Sequence, residues 1–306
     1  MPEVAAAPIF IQGIYPRSGT NHLLNLLCVH PDCASPSPIW EDQLLARAHH
    51  LDAYVDAVSA SWNPDWGVVP AHERALLASL GEGIGGFLRD LADGRRVVTK
   101  TPSVDQLSRF GALFPRAFLL ILVRDGRAVV ESGARSFRWF RDGAIHGWAE
   151  AARTIRDFDA AERGGNLRYR IVRYEQLVEA PETCLKEILE FLELDVARYD
   201  FAQAKALPVR GSSSVGRRSG EAVHWDGSPR AIDFDPVGRW RQWSRWQHAR
   251  FNWIAGDALR DLGYAPVKTQ GGSAERVWNR LLDLRYCGAR ALRPAVNAWR
   301  RRNSDR

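Results

Sequence analysis

Pro8-Ile9-Phe10-Ile11-Gln12-Gly13-Ile14-Tyr15-Pro16-Arg17-Ser18-Gly19-Thr20-Asn21-His22-Leu23-Leu24-Asn25-Leu26-Leu27 is the stretch of this chain that constrains its architecture most. The uncharged run 8–14 reads as a strand buried on both faces, 15–20 as a turn, and 21–29 as a helix. A strand, a short turn and a helix leave free backbone N–H groups aimed at whatever lies above the turn. The helix dipole favours negative charge there. Arg17 adds a planar guanidinium suited to an oxyanion. A nucleoside-triphosphate loop of the G-x-x-x-x-G-K-[ST] type is not present: Gly13 to Gly19 is one residue too long, and Thr20 follows Gly19 with no Lys between them.

Further strands are read at 96–100, at 117–123, which is the most apolar, and at 167–172. Helical periodicity is read at 39–60, 71–91, 104–114, 125–137, 145–162 and 181–192. Strand and helix in repeated alternation imply an α/β fold, a P-loop-like doubly wound parallel sheet flanked by helices. Residues 195–238, rich in Gly, Ser, Pro and Arg, read as a long loop, and 239–262 as a Trp-rich helix. Gly271-Gly272 divides a domain of residues 1–270 from a C-terminal helical tail, 271–306.

The 306 residues, 45% hydrophobic and 25% charged, have ordinary globular composition, and a chain of this length needs no metal or disulfide staple. Cys28, Cys33, Cys184 and Cys287 follow no metal-ligand spacing and are expected to be reduced thiols. No run approaches the roughly 20 apolar residues of a membrane span. The first residues lack the pattern of a secretory signal, so a cytoplasmic location is expected. Of 42 basic and 36 acidic residues, nine Arg and three acids fall in 275–306, leaving 33 of each sign in 1–274. A neutral body with a basic tail argues against a nucleic-acid partner.

A second constellation follows the most apolar strand: Val123-Arg124-Asp125-Gly126-Arg127-Ala128-Val129-Val130-Glu131-Ser132. Arg124 stands at the strand's carboxyl end, the edge where open α/β sheets bind ligands, and Ser132 lies two helical turns further on. Two anion sites on one edge suggest a nucleotide phosphorylated at both ends.

Together the two segments resemble the sulfotransferase superfamily that uses 3'-phosphoadenosine-5'-phosphosulfate (PAPS). Arg17 in place of Lys is closer to its carbohydrate, lipid and protein-tyrosine branches than to the branch acting on small phenols and steroids. Lys100-Thr101-Pro102, Val172-Arg173-Tyr174-Glu175-Gln176-Leu177 and Gly238-Arg239-Trp240 fit in order, so the similarity spans about residues 8–262. One departure is Asn21, where many members carry Thr or Ser; its amide can still donate to a phosphate oxygen.

The resemblance implies that Arg17, Ser18, Gly19, Thr20 and Asn21 hold the 5'-phosphosulfate and that Arg124 and Ser132 hold the 3'-phosphate. It also implies that the loop 210–217, with Ser213 and Arg217, closes over the nucleotide. The implied reaction moves a sulfuryl group from PAPS to a hydroxyl or amine of a carbohydrate, lipid or other small acceptor, without a metal. The product is 3',5'-adenosine bisphosphate. Such transfer asks the protein mainly for positioning and charge stabilisation. Arg17 and Lys100, one of only four lysines, are the expected electrophilic partners. Glu41 is the expected general base by resemblance, unless it serves only as a first-turn acid of the helix read from residue 39. His22, His49 and His50 are its rivals. Arg173 and Glu175 are expected to make a structural ion pair or turn rather than to take part in the chemistry. An atypical P-loop nucleotide kinase, needing Mg²⁺ and ATP, and a nucleotide-binding member without catalysis are the alternative readings.

In the tail, Val277, Leu281, Leu284, Ala291, Ala295 and Trp299 align on one helical face, interrupted by Pro294, with Arg elsewhere. Two readings remain: a basic amphipathic helix on an anionic membrane, with contact through 275–302, or a helix docked on the body.

Overall fold

The computed structural model describes residues 7–207 and 235–304, the stretch 289–304 as backbone alone. Its elements run β1 (Ile9–Gly13), α1 (Thr20–Leu27), β2 (Cys33–Ala34), α2 (Ala48–Ser59), α3 (Pro70–Asp90), β3 (Arg96–Thr101), α4 (Phe110–Leu113), β4 (Phe118–Val123), α5 (Gly126–Phe137), α6 (Arg141–Glu162), β5 (Tyr169–Arg173), α7 (Tyr174–Glu179), α8 (Pro181–Phe191), α9 (Phe201–Ala206), α10 (Arg245–Asp261) and α11 (Ser273–Ser304).

All neighbouring strands are parallel, in the order β2-β3-β1-β4-β5. Register sets Ile11 beside both Lys100 and Leu120, Gly13 beside Leu122, and Val123 beside Arg173. The chain leaves β1 toward β3 on one side and returns through β4 on the other. The crevice of such a sheet therefore opens at the carboxyl ends of these three strands.

The unalternating apolar runs are explained by helices on both faces. In β4, Leu119, Ile121 and Val123 enter one core with Phe10, Phe110, Trp148 and Phe251. Phe118, Leu120 and Leu122 enter the other with Ile9, Ile11, Leu23 and Ile188. Each fully buried side chain of this size stabilises the fold by about 1.5–3 kcal/mol, so a polar substitution on either face of β4 strikes a core.

Several expected boundaries move. Residues 39–44 form a loop; regular helix begins at Ala48 after a 3₁₀ turn at Leu45–Arg47. The cause is Asp42, whose carboxylate accepts from the Leu44 N–H and from the hydroxyls of Thr99 and Thr101, while Gln43 takes a left-handed φ of 53°. The helix expected at 104–114 contracts to a 3₁₀ turn at Leu107–Arg109 and the single turn α4. The described part of 195–238 holds a 3₁₀ turn at Val196–Arg198 and α9, N-capped by Asp195 and Asp200 respectively. The helix read from 239 opens as a 3₁₀ turn at Arg239–Gln242 and restarts at Arg245 under a Ser244–Gln247 capping box. The α11 backbone continues through residue 294, where the lost donor removes one helical bond without ending the helix.

The four cysteines are unbridged; burial pushes the Cys28 thiol up to about 11 and that of Cys33 up to about 12. No described helix is long and apolar enough to cross a membrane.

Candidate active site

The turn after β1 is locked by its smallest residue. Gly19 has φ 102°, and a Cβ there would lie 2.5 Å from ring carbons of Tyr174, so backbone conformation and space both demand glycine. Gly19 precedes α1 without a side-chain cap. Among the described residues, the backbone N–H groups of Gly19, Thr20 and Asn21 donate to no protein acceptor. Ser18 is fully buried, and its hydroxyl has no hydrogen-bond partner among the described residues. Unsatisfied buried donors around a helix N-terminus are what an anion would satisfy.

The turn after β4 lies against it. Arg124 donates from one terminal nitrogen to the Arg17 carbonyl and from the other to that of Pro236. Its guanidinium stacks over Tyr174 at 4.2 Å, and its buried Nε has no described partner. Arg17 Nε donates to Ser132 Oγ at 3.3 Å. Burial, and then the like charge of Arg124, with that of Arg239 further down, push the Arg17 guanidinium down to about 10. It stays protonated at neutral pH, in a cluster of cations held close together. Residues expected to hold opposite ends of one nucleotide are thus joined by a direct hydrogen bond.

This second turn is braced from beneath. Asp125 caps α5 by accepting from the Arg127 N–H at 2.9 Å and forms a buried ion pair with the Arg127 guanidinium. Trp148 donates its indole N–H to the Arg124 carbonyl at 3.2 Å. Glu175 accepts from the Asp125 N–H at 2.9 Å and from the Tyr264 hydroxyl at 2.8 Å. The expected Arg173–Glu175 pair is therefore replaced: Glu175 is taken by neutral donors, and Arg173 stacks on Tyr264 and donates to the Leu262 carbonyl. With Arg127 donating to the Ala265 carbonyl, the segment 262–265 is tied across the site's floor at three points. Glu131, one helical turn before Arg135, binds Trp243, Arg135 and Arg141. Burial pushes its carboxyl up, but these donors prevail and hold it below the usual range.

Lys100, nearly at the end of β3, is buried and donates to Glu41 Oε1 at 2.9 Å. Burial lowers the Lys100 ammonium below its ordinary value, and its hydrogen bond to the Glu41 carboxylate opposes that shift. Glu41 itself is exposed, in the loop that Asp42 fastens to Thr99 (2.7 Å) and Thr101 (3.0 Å). It lies outside any helix, so the first-turn reading of Glu41 does not hold. The structure therefore brings Glu41 to Lys100, and Arg17 to Arg124 and Ser132. His49 and His50 are exposed on α2, with rings 4.0 Å apart, and His22 lies on α1 edge-on to Tyr174. Ser213 and Arg217 lie outside the described residues. No cluster of His, Cys, Asp and Glu among the described residues could hold a metal ion.

Sequence reasoning missed Asp42, Tyr174 and Trp148 as positioning residues. Tyr174 lies in the segment 172–177, but nothing in the spacing shows one ring serving both Gly19 and Arg124.

The model of the Sulfotransferase family matches residues 8–198. A protein-tyrosine sulfotransferase of Drosophila melanogaster is 28% identical over 200 residues, covering 61% of this chain and 38% of that protein. Protein-tyrosine sulfotransferase A of Caenorhabditis elegans is 28% identical over 201 residues, covering 61% and 50%. The chain thus spans half or less of the length of these curated relatives. Among solved structures, a sulfotransferase domain from the curacin biosynthetic pathway shares the fold, with a TM-score of 0.51 and 20% identity over 86% of this chain and 99% of that one.

Proposed function

The chain belongs to the Sulfotransferase family, and from that premise we propose that it transfers a sulfuryl group from PAPS to an acceptor hydroxyl or amine. The observation that carries the reading is the convergence of Arg17, Arg124 and Ser132 beside the unpartnered Ser18 hydroxyl and the free N–H groups of 19–21. These donors suit an anionic ligand, and their position at the carboxyl edge of β1 and β4 suits a nucleotide.

Bound there, the donor would supply a sulfuryl group already activated by its phosphate. Ser18, Arg17 and the N–H groups of Gly19, Thr20 and Asn21 would hold its 5' end, and Arg124 and Ser132 its 3'-phosphate. Arg17 then exchanges Ser132 for a ligand oxygen. Lys100 exchanges Glu41 for the departing phosphate, and the two cations neutralise the charge that develops on it. Glu41, released from Lys100, takes the acceptor's proton as the acceptor atom bonds to sulfur and the sulfur–oxygen bond to the phosphate breaks. Asp42 keeps the base at the end of β3 throughout.

The acceptor reading is a hydroxyl of a carbohydrate, lipid or other small molecule. A tyrosine hydroxyl is the second reading, favoured by the names of the two curated relatives. Titration calorimetry with 3',5'-adenosine bisphosphate and with ATP tests the donor site: the bisphosphate binds without Mg²⁺, and ATP binds far more weakly. Tight ATP binding with no response to the bisphosphate refutes it in favour of a kinase. Radiolabelled donor offered to tyrosine peptides, glycans and lipid extracts then separates the acceptors.

A further inference from the structure

The helix α11 is docked inside out. Its inner face is polar: Glu275 and Asn279 are buried, the Asn279 carbonyl accepts from Arg250 at 3.0 Å, and Glu275 accepts from Thr269 at 3.0 Å. Asp283 pairs with Arg250 at 2.8 Å and accepts from the Trp253 indole at 2.8 Å. Tyr286 stacks on His146 at 4.4 Å. The opposite face carries Val277, Leu281 and Leu284, at 57%, 55% and 71% exposure, spaced i, i+4, i+7 as a single stripe. Trp278, 48% exposed, flanks the stripe and meets the half-exposed Trp246 of α10. A helix that packs on a soluble body for its own stability presents the reverse arrangement.

Charge identifies what covers the stripe. Advancing 100° per residue from Val277 puts Arg280 on one side of the stripe and Arg285 on the other, both exposed, with Arg276 beyond Arg280. Both acids of 275–288 are engaged toward the body, so the outward face carries positive charge alone. The whole excess of the chain, nine Arg against three acids, lies in 275–306, while 1–274 is balanced. An apolar stripe bordered by guanidiniums and flanked by indoles matches the boundary between lipid headgroups and acyl chains.

We propose that α11 lays Val277, Leu281 and Leu284 onto an anionic lipid bilayer, holding the protein at a membrane surface without crossing it. Ala291, Ala295 and Trp299, expected on the same face, lie where side chains are outside the described residues.

Flotation of the full chain with vesicles of phosphatidylcholine alone, and with phosphatidylserine added, tests the proposal. Binding is expected to the anionic vesicles and to weaken as salt rises. Leu281→Glu with Leu284→Glu lowers partitioning by about tenfold or more per leucine. Arg280→Gln with Arg285→Gln lowers it by about fivefold per charge. Because all four side chains are solvent-facing, melting temperatures stay within about 1 °C of the parent. No binding of the parent to anionic vesicles overturns the proposal. So does equal binding by the leucine double variant, or a concentration-dependent dimer that this variant abolishes without any vesicle binding, which would make a second copy the occupant.

Discussion

Ser18→Ala is expected to move stability and ligand affinity in opposite directions. The Ser18 hydroxyl is fully buried with no described partner, and a buried polar group left in that state costs about 1–3 kcal/mol. Alanine removes that group and keeps the backbone, including the Ser18 N–H bond to the Tyr15 carbonyl at 3.1 Å. The free protein should therefore gain up to about 1 kcal/mol after the lost van der Waals contacts are deducted, roughly 2 °C of melting temperature at this chain length. In the proposed complex the same hydroxyl would donate to a charged oxygen, so its loss should weaken 3',5'-adenosine bisphosphate by about 1–3 kcal/mol, or roughly 5- to 150-fold. Scanning calorimetry of the free protein and titration calorimetry with the bisphosphate measure the two quantities separately. A variant destabilised by more than about 1 kcal/mol with affinity unchanged would mean that the hydroxyl is a structural group and that the anion site lies elsewhere.

Glu41→Gln should lower turnover by about 10² to 10⁴ without weakening the bisphosphate, since its carboxylate is no phosphate ligand and its loss only frees Lys100; full activity on the true acceptor would place the base elsewhere. The Glu131 carboxyl is held below its ordinary value of 4.5, so the folded state binds fewer protons than the unfolded one. Its stabilisation is complete above that ordinary value and is lost as pH falls through the lowered folded value, so Glu131→Gln should be less stable at neutral pH and lose less on acidification, read as melting temperature against pH. A Cβ on Gly126 would sit 2.5 Å from the ring of fully buried Trp148, so Gly126→Ala should destabilise by about 1–3 kcal/mol in urea despite its better helix propensity. Because Trp148 supports the Arg124 carbonyl, the same variant should also bind the bisphosphate more weakly.

The parts of the fold legible in the sequence are those where one physical signal acts alone. The runs in β1 and β4 are apolar without alternation because helices cover both faces, and no other arrangement tolerates them at the surface. The phosphate-type turn was legible because the left-handed backbone at Gly19 and the helix start at Thr20 are set within a few residues. Elements set by distant partners were not. β2 is two residues, Cys33 and Ala34, too short for any period. The helical reading extends back to Ile39, yet Asp42 claims the Leu44 N–H and two threonine hydroxyls from β3, and the loop follows those bonds. The pairing of Lys100 with Glu41 depends on that loop, so its two members were nameable from sequence while their contact was not. In the tail the apolar stripe was legible, but its direction was set by Arg250, a residue of α10.

The tether at 262–265 has a practical corollary for engineering. The stretch matched by the family model ends at residue 198, yet Arg127, Arg173 and Glu175 inside it are latched to Ala265, Leu262 and Tyr264 beyond it. A chimera that exchanges only the matched stretch would carry the arginine-bearing turns away from their latch. Grafts between relatives should therefore keep β4, β5 and the stretch just past α10 as one inherited unit, and a recombinant form shortened to end before residue 262 should bind nucleotide poorly even though every expected ligand-binding side chain is still encoded.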